Sequence, residues 1–168
     1  MRLGVYDVDS EAGECVYRSQ SAFEDKRVGA AAVYCSDGRF GEAMDEFLHG
    51  ELSLGGLSLP HYDRVAIPGG AACLAGHSCA YHQKNALERQ LEFLIRGHGL
   101  RRVVLIAHDG CAFYHDVQLG LRTTEQQQAA DLAKASMQIR TFAPQVEVDA
   151  YFARKVAGRV AFERWRTD

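Results

Sequence analysis

The chain has 168 residues, 19 Lys and Arg against 22 Asp and Glu, and a formal net charge of −3. That length suits one well-packed domain over residues 1–168, and charges of both signs scattered along it exclude the basic footprint of a nucleic-acid binder and the acidic tail of a disordered chain. No run nears the roughly 18 apolar residues that span a bilayer, and Met1 to Asp7 lack the apolar core of a signal peptide, so the expectation is a cytoplasmic protein with no membrane partner.

Residues 1–28 are the least readable part, with a strand expected over Cys15 to Tyr17 and a polar arm after it. Residues 29–35, Gly-Ala-Ala-Ala-Val-Tyr-Cys, form a continuous apolar run of the kind buried on both faces of a parallel sheet, and Asp37 and Gly38 end it. From Phe40 to Leu48, Phe40, Ala43, Met44, Phe47 and Leu48 recur at helical spacing while Glu42, Asp45 and Glu46 take the remaining surface. His49 to Pro60 reads as a loop, and Tyr62 to Ile67 as a second strand stopped by Pro68-Gly69-Gly70. Gln83 to His98 is the clearest helix, with Leu87, Leu91, Leu94 and Ile95 on one face and Gly97 and Gly99 available to end it.

Val103-Val104-Leu105-Ile106-Ala107 is a β-branched run that predicts a central strand leading straight into His108. Thr124 with Gln127 fits a helix capping box, the helix running to about Phe142 before Pro144. Val146, Val148, Ala150 and Phe152 alternate, and Arg159 to Glu163 follows Gly158, so the chain closes with a strand and an antiparallel edge hairpin. The expected architecture is an α/β fold with a central, mostly parallel sheet, an antiparallel edge strand and flanking helices.

In a reducing compartment, five free cysteines are ligands, nucleophiles or small buried hydrophobes rather than disulfide partners. Cys35 and the His108-Asp109-Gly110-Cys111 segment each end a predicted parallel strand, where loops of open α/β sheets converge on one crevice. Two thiolates and an imidazole suit Zn2+ and leave a fourth position for water or substrate. Residue types alone also allow Cys35 and Cys111 to be plain core residues, with His108 a hydrogen-bonded neighbour. Asp37 and Arg39 share the Cys35 loop. An Arg-held carboxylate stays ionised and oriented, able to accept a hydrogen bond from a metal-bound water; released, Asp37 becomes a candidate fourth ligand in a closed state. The plainer reading makes Asp37 a helix cap and Arg39 a solvated cation.

C-x-D-x-R after a buried strand, a glycine-containing strand end, a helix, and a β-branched strand running into H-x-x-C together resemble the β-class carbonic anhydrases, with a match from about Ala30 to Cys111. The resemblance implies zinc on Cys35, His108 and Cys111, a catalytic Asp37-Arg39 dyad, a zinc-bound hydroxide that attacks carbon dioxide to give bicarbonate, and a homodimer or dimer-based homo-oligomer. Where that family usually reads Arg-Asn-Ala-Gly, this chain has Ile67-Pro68-Gly69-Gly70-Ala71, which puts Gly69 and Gly70 at the substrate pocket. The long N-terminal helical arm of the family is absent or replaced by residues 1–28. The altered wall keeps two alternatives open, hydrolysis of carbonyl sulfide or carbon disulfide on the same scaffold, and a non-catalytic zinc-binding protein.

The remaining candidates have plainer readings. Cys73, His77, Cys79 and His82 lie close in sequence without a common ligand spacing and are expected to line the loop into the Gln83 helix. His115 is either a proton shuttle or a surface histidine. Phe113 and Tyr114 are read as pocket wall or core, and Cys15 as a passive thiol.

Overall fold

Strand β1 (Ala30–Cys35) turns Ala31 and Val33 to one face and Ala30, Ala32 and Tyr34 to the other, and both sets are buried. Strand β3 (Arg102–His108) repeats this with Val103 and Leu105 opposite Val104 and Ile106. A strand that is apolar on both faces needs cover on both, so the continuous apolar runs of the sequence lead directly to a three-layer arrangement. Helix α1 (Gly41–Leu52) covers one face with Met44 and Leu48, together with Phe40 just before it. Helices α2 (Tyr81–His98) and α3 (Thr124–Phe142) cover the other with Leu87, Leu91 and Ile95, and with Leu132, Ala135 and Ile139. The computed structural model describes residues 16–20, 22, 23, 25, 27–52 and 61–167.

The remaining strands are β2 (Tyr62–Ile67), β4 (Glu147–Val156) and β5 (Arg159–Trp165), and the sheet order is β2-β1-β3-β4-β5. All neighbours are parallel except β4 and β5, which form the expected antiparallel edge hairpin. Its turn puts both Ala157 (φ 48°) and Gly158 (φ 79°) in the left-handed region, the backbone twist that closes a two-residue hairpin. From β1 the chain steps to β2 on one side and then crosses to β3 on the other, so the topological switch point lies between the ends of β1 and β3. Cys35 closes β1 and His108 closes β3. Among the described residues no helix is long and apolar enough to cross a membrane.

Four boundaries differ from expectation. Helix α1 continues to Leu52, beyond the loop start expected at His49. The His49 ring meets Tyr62 of β2 edge-on at 5.5 Å between centroids and its Nδ1 lies 2.7 Å from the Asp45 carbonyl, which holds that turn helical. The rest of the expected loop, residues 53–60, lies outside the described residues. The capping box is one residue earlier than expected: Thr123 accepts from the Gln126 amide at 3.2 Å and the Gln126 side chain accepts from the Thr123 amide at 3.0 Å. Thr123 has the extended backbone a cap requires, whereas Thr124 is already helical. Helix α2 starts at Tyr81 rather than Gln83, after a short 3-10 turn over Ser78–Ala80. Val16 and Tyr17 form no strand and are exposed, and Cys15 lies outside the described residues.

Candidate metal centre

The switch point brings Cys35, His108 and Cys111 together: one ligand atom from each lies within 4.8 Å of the others, and theirs is the only such cluster among the described residues. The two sulfurs are 3.8 Å apart. That is far beyond a disulfide bond and equal to the edge of about 3.8 Å that two Zn–S bonds of ~2.3 Å subtend in a tetrahedron.

The imidazole is prepared from both sides. His108 is 1% exposed, and its Nδ1 lies 3.0 Å from the Asp109 carbonyl, an acceptor that fixes the proton on Nδ1. Nε2 is thereby left as a lone pair, and it is buried with no hydrogen-bond partner among the described residues. An orphaned buried nitrogen is costly, and a cation between it and the thiols removes that cost. The ring is clamped by Phe40, centroid to centroid 4.3 Å.

Cys35 is already biased toward the thiolate. Its pKa is drawn down to about 4, chiefly by the hydrogen bond from the Cys111 thiol and in smaller part by the backbone at Gly69 and Asp37, against the opposing effect of burial. Cys111 moves the other way, held protonated by that same bond and by burial. The pair therefore keeps one exchangeable proton in the place where a metal bonds to sulfur.

Asp37 is at once a cap and the partner of Arg39. It caps the short 3-10 turn Gly38–Phe40 by accepting from the Arg39 amide at 3.1 Å, and it accepts from the same residue's Nε at 2.9 Å and Nη2 at 2.5 Å. The guanidinium holds the Asp37 carboxyl well below the usual carboxylate range. Asp37 thus rests on Arg39 and stands apart from the metal-binding cluster.

The Pro68-Gly69-Gly70 segment is shaped by contact. Gly70 sits at φ 52°, and a Cβ there would stand 2.6 Å from the Tyr34 carbonyl carbon and the Cys35 nitrogen, so this glycine lets the β2 loop lie flush on the end of β1. Gly69, at φ 83°, lies under the Phe113 ring. Gly69 also lines a small cavity, about 10 Å³, shared with Cys35, His108 and Cys111; Gly70 packs behind it. A space of that size holds about one water.

Other candidates scatter. Cys73 is fully buried, donates to the Pro68 carbonyl at 3.2 Å and has its pKa pushed up to about 11 by burial. Cys79 and His82 are exposed, as is His115, while His77 turns inward to Asp131. Tyr114 is buried and lines the cavity; Phe113 is half-buried. Sequence reasoning missed Gln128, whose Nε2 donates to the His108 carbonyl at 2.7 Å, and Asp131, which lines the same cavity. Their signal was polar side chains beside Leu132 and Ala135 on the apolar stripe of α3, where a satisfied polar group needs a partner across the core.

Comparison with known proteins bears on the family and the fold. A family model described as "Putative carbonic anhydrase" matches residues 25–162. No curated protein sequence matches the chain. Among solved structures, β-carbonic anhydrase isoform I of Trichomonas vaginalis is similar with a TM-score of 0.56 at 11% identity, covering 84% of this chain and 87% of that one. Carbonic anhydrase from Streptococcus mutans gives 0.47 at 16% identity over 79% and 80% of the two chains. The fold is thus that of a β-carbonic anhydrase, and with the family model matching most of its length the chain belongs to the carbonic anhydrase family as a divergent member.

Proposed function

We propose that this chain is a zinc lyase that hydrates carbon dioxide reversibly to bicarbonate, with Cys35, His108 and Cys111 as the protein ligands. The observation that carries the reading is the buried, unpartnered His108 Nε2 beside two sulfurs spaced 3.8 Å apart. When bound, zinc supplies the Lewis acidity that makes water a nucleophile near neutral pH. Asp37, kept ionised by Arg39, would offer a fixed acceptor for an O–H of water at the site. Arg39 serves as a positioning residue, acting through Asp37. Because Asp37 is held by Arg39, the protein would supply three ligands rather than four, which favours catalysis over a closed, purely structural site. Gly69 lines the cavity beside Cys35 and, with Gly70, gives the close approach of the pocket wall. The same reading takes residues 1–168 as one domain that pairs with a second copy, as the family resemblance implies.

The test is a stopped-flow pH-indicator assay over about pH 6.5 to 9. Zinc-loaded protein is expected to accelerate hydration and Cys35→Ser to lose that acceleration; equal rates with and without zinc overturn the assignment. A second reading, hydrolysis of carbonyl sulfide or carbon disulfide, is motivated by the apolar wall that Phe113 makes over Gly69. Release of hydrogen sulfide from either compound by a preparation inactive on carbon dioxide would select it.

A further inference from the structure

The least expected feature of α3 is a buried carboxyl group. Asp131 is 1% exposed and sits one position before Leu132, on the side of the helix packed against the sheet. Leucine there would bury more apolar surface at no desolvation cost, so the partners of Asp131 have to explain it. They are three donors. His77 Nε2 donates to Oδ2 at 2.6 Å, the Tyr114 hydroxyl donates to the same oxygen at 2.8 Å, and Gln127 Nε2 donates to Oδ1 at 2.8 Å. Arg122 donates to the Gln127 side-chain oxygen at 3.2 Å, which settles the amide orientation.

Two of those donors, Tyr114 and His77, come from the loops that surround the metal-binding cluster. Tyr114 stands in the 3-10 turn Ala112–His115 that begins immediately after Cys111, and its amide donates to the Cys111 carbonyl at 3.2 Å. His77 follows the turn Gly70–Ala75, in which Gly70 lies flush on the Cys35 backbone, while the preceding Gly69 lines the small cavity together with Cys35. One oxygen of Asp131 therefore ties the loop after β2 to the loop after β3. Gln128, one turn earlier on the same helix, grips the carbonyl of His108 itself. Asp131 and Gln128 both line the small cavity that the two cysteines and the histidine also line. Asp37, by contrast, makes its contacts within its own short loop.

We propose that Asp131 is a positioning residue for the metal: by clamping Tyr114 and His77 from α3, it holds Cys111 and the Cys35 wall at ligand spacing before an ion arrives. The inference rests on the reading of Cys35, His108 and Cys111 as ligands. A fixed site spares the metal the work of ordering two loops, and residues of this kind typically set affinity by about 10–100-fold.

The experiment strips the full chain of metal, titrates it with Zn(II) against a chelating indicator, and records the absorption of the Co(II)-substituted form. Asp131→Asn is expected to weaken Zn(II) binding by about 10–100-fold and to shift the Co(II) bands, because ligand geometry loosens. Tyr114→Phe, which removes a single hydroxyl and keeps the packed ring, should move both readouts the same way. The double variant should bind no more weakly than Asp131→Asn alone, since both lesions lie on one path. If Asp131→Asn does not fold, Tyr114→Phe decides. Both single variants binding Zn(II) at parental affinity with unchanged Co(II) bands, whatever their unfolding midpoints, overturn the inference and leave the ligand reading intact. A parent chain that takes up neither metal overturns the ligand reading together with this one.

Discussion

The two loops that meet at the metal-binding cluster are built on opposite principles. The Cys35 loop is local: Asp37 accepts from Arg39 two residues away, the Arg39 side chain is 71% exposed, and Cys35 is itself only partly buried. The His108–Cys111 loop is held from a distance. Gln128 of α3 takes the His108 carbonyl, Asp109 receives the Lys155 amide of β4 at 2.8 Å and donates its own amide to Ala153 at 3.0 Å, and Tyr114 reaches Asp131. The first loop is tied to the sheet by its backbone, through the Ser36 amide on the Ile67 carbonyl at 3.1 Å, but holds its carboxylate by a contact between near neighbours, and the second holds its side chains through partners distant in sequence. On the proposed reading, chemistry that needs a wet position is separated from coordination that needs rigidity.

Substituting a ligand from each loop is the strongest way to break this comparison. Cys35→Ser and His108→Ala should both weaken zinc binding by more than about 100-fold, since a ligand costs at least what its supporting contacts cost. They should differ in the metal-free state. His108 is clamped by Phe40 and buried, so its truncation is expected to lower unfolding free energy by about 1–3 kcal/mol, whereas Cys35→Ser should stay within about 1 kcal/mol of the parent. Urea unfolding of the stripped proteins checks this, and equal losses would erase the distinction between the loops.

A second break goes through the wall they share. Gly70→Ala forces a side chain into φ 52° and places its Cβ 2.6 Å from the backbone of Tyr34 and Cys35, neither of which can swing away. Backbone strain of this kind costs about 1–3 kcal/mol, and the displaced β1 end should weaken zinc binding as well. Gly38→Ala, where a Cβ meets nothing within 4 Å, is the matched control on the local loop and should leave both quantities nearly unchanged.

The same contrast explains what was legible in the sequence. Strands β1 and β3, the helix faces and the closing hairpin follow from apolar periodicity, because each pattern lies within a few consecutive residues. Cys35, Asp37 and Arg39, and His108 with Cys111, were readable for the same reason. Gln128 and Asp131 were not, since a buried polar group on an amphipathic helix takes its meaning from partners 17 to 54 positions away. The capping box shifted by one residue because Thr123 and Thr124 offer the same hydroxyl and only backbone geometry chooses between them. The continuation of α1 past His49 depended on a ring contact with Tyr62, again invisible to local pattern.

Arg39→Gln sharpens the functional half of the comparison. It removes the guanidinium from Asp37 while leaving the core untouched, so kcat/KM for hydration is expected to fall about 10–100-fold with no change in thermal midpoint and no loss of zinc affinity. A fall in midpoint instead would mean that the local loop carries structure after all.

The smallest expected effect tests whether the helix after the local loop is fastened as lightly as the loop itself. Asp45 of α1 accepts from the Tyr62 hydroxyl at 2.6 Å and from Arg64 Nε at 3.2 Å, both on edge strand β2. The Tyr62 hydrogen bond, with help from Arg64, lowers the Asp45 pKa below its ordinary value against the opposing effect of burial. A carboxyl whose folded pKa is lowered stabilises the fold above its unfolded pKa of ~3.9 and loses that contribution as pH falls through the folded value. The contribution is therefore full near neutrality and fades below about pH 4. Because the Asp45 side chain is 47% exposed and Arg64 50% exposed, solvent screening keeps it to no more than about 1 kcal/mol. Asp45→Asn should accordingly lower the unfolding free energy by that amount at pH 7 and converge with the parent in acid, when the two are followed by urea unfolding across pH 7 to 3. A gap that persists undiminished at the acid end would assign the contact to packing of Tyr62 rather than to charge.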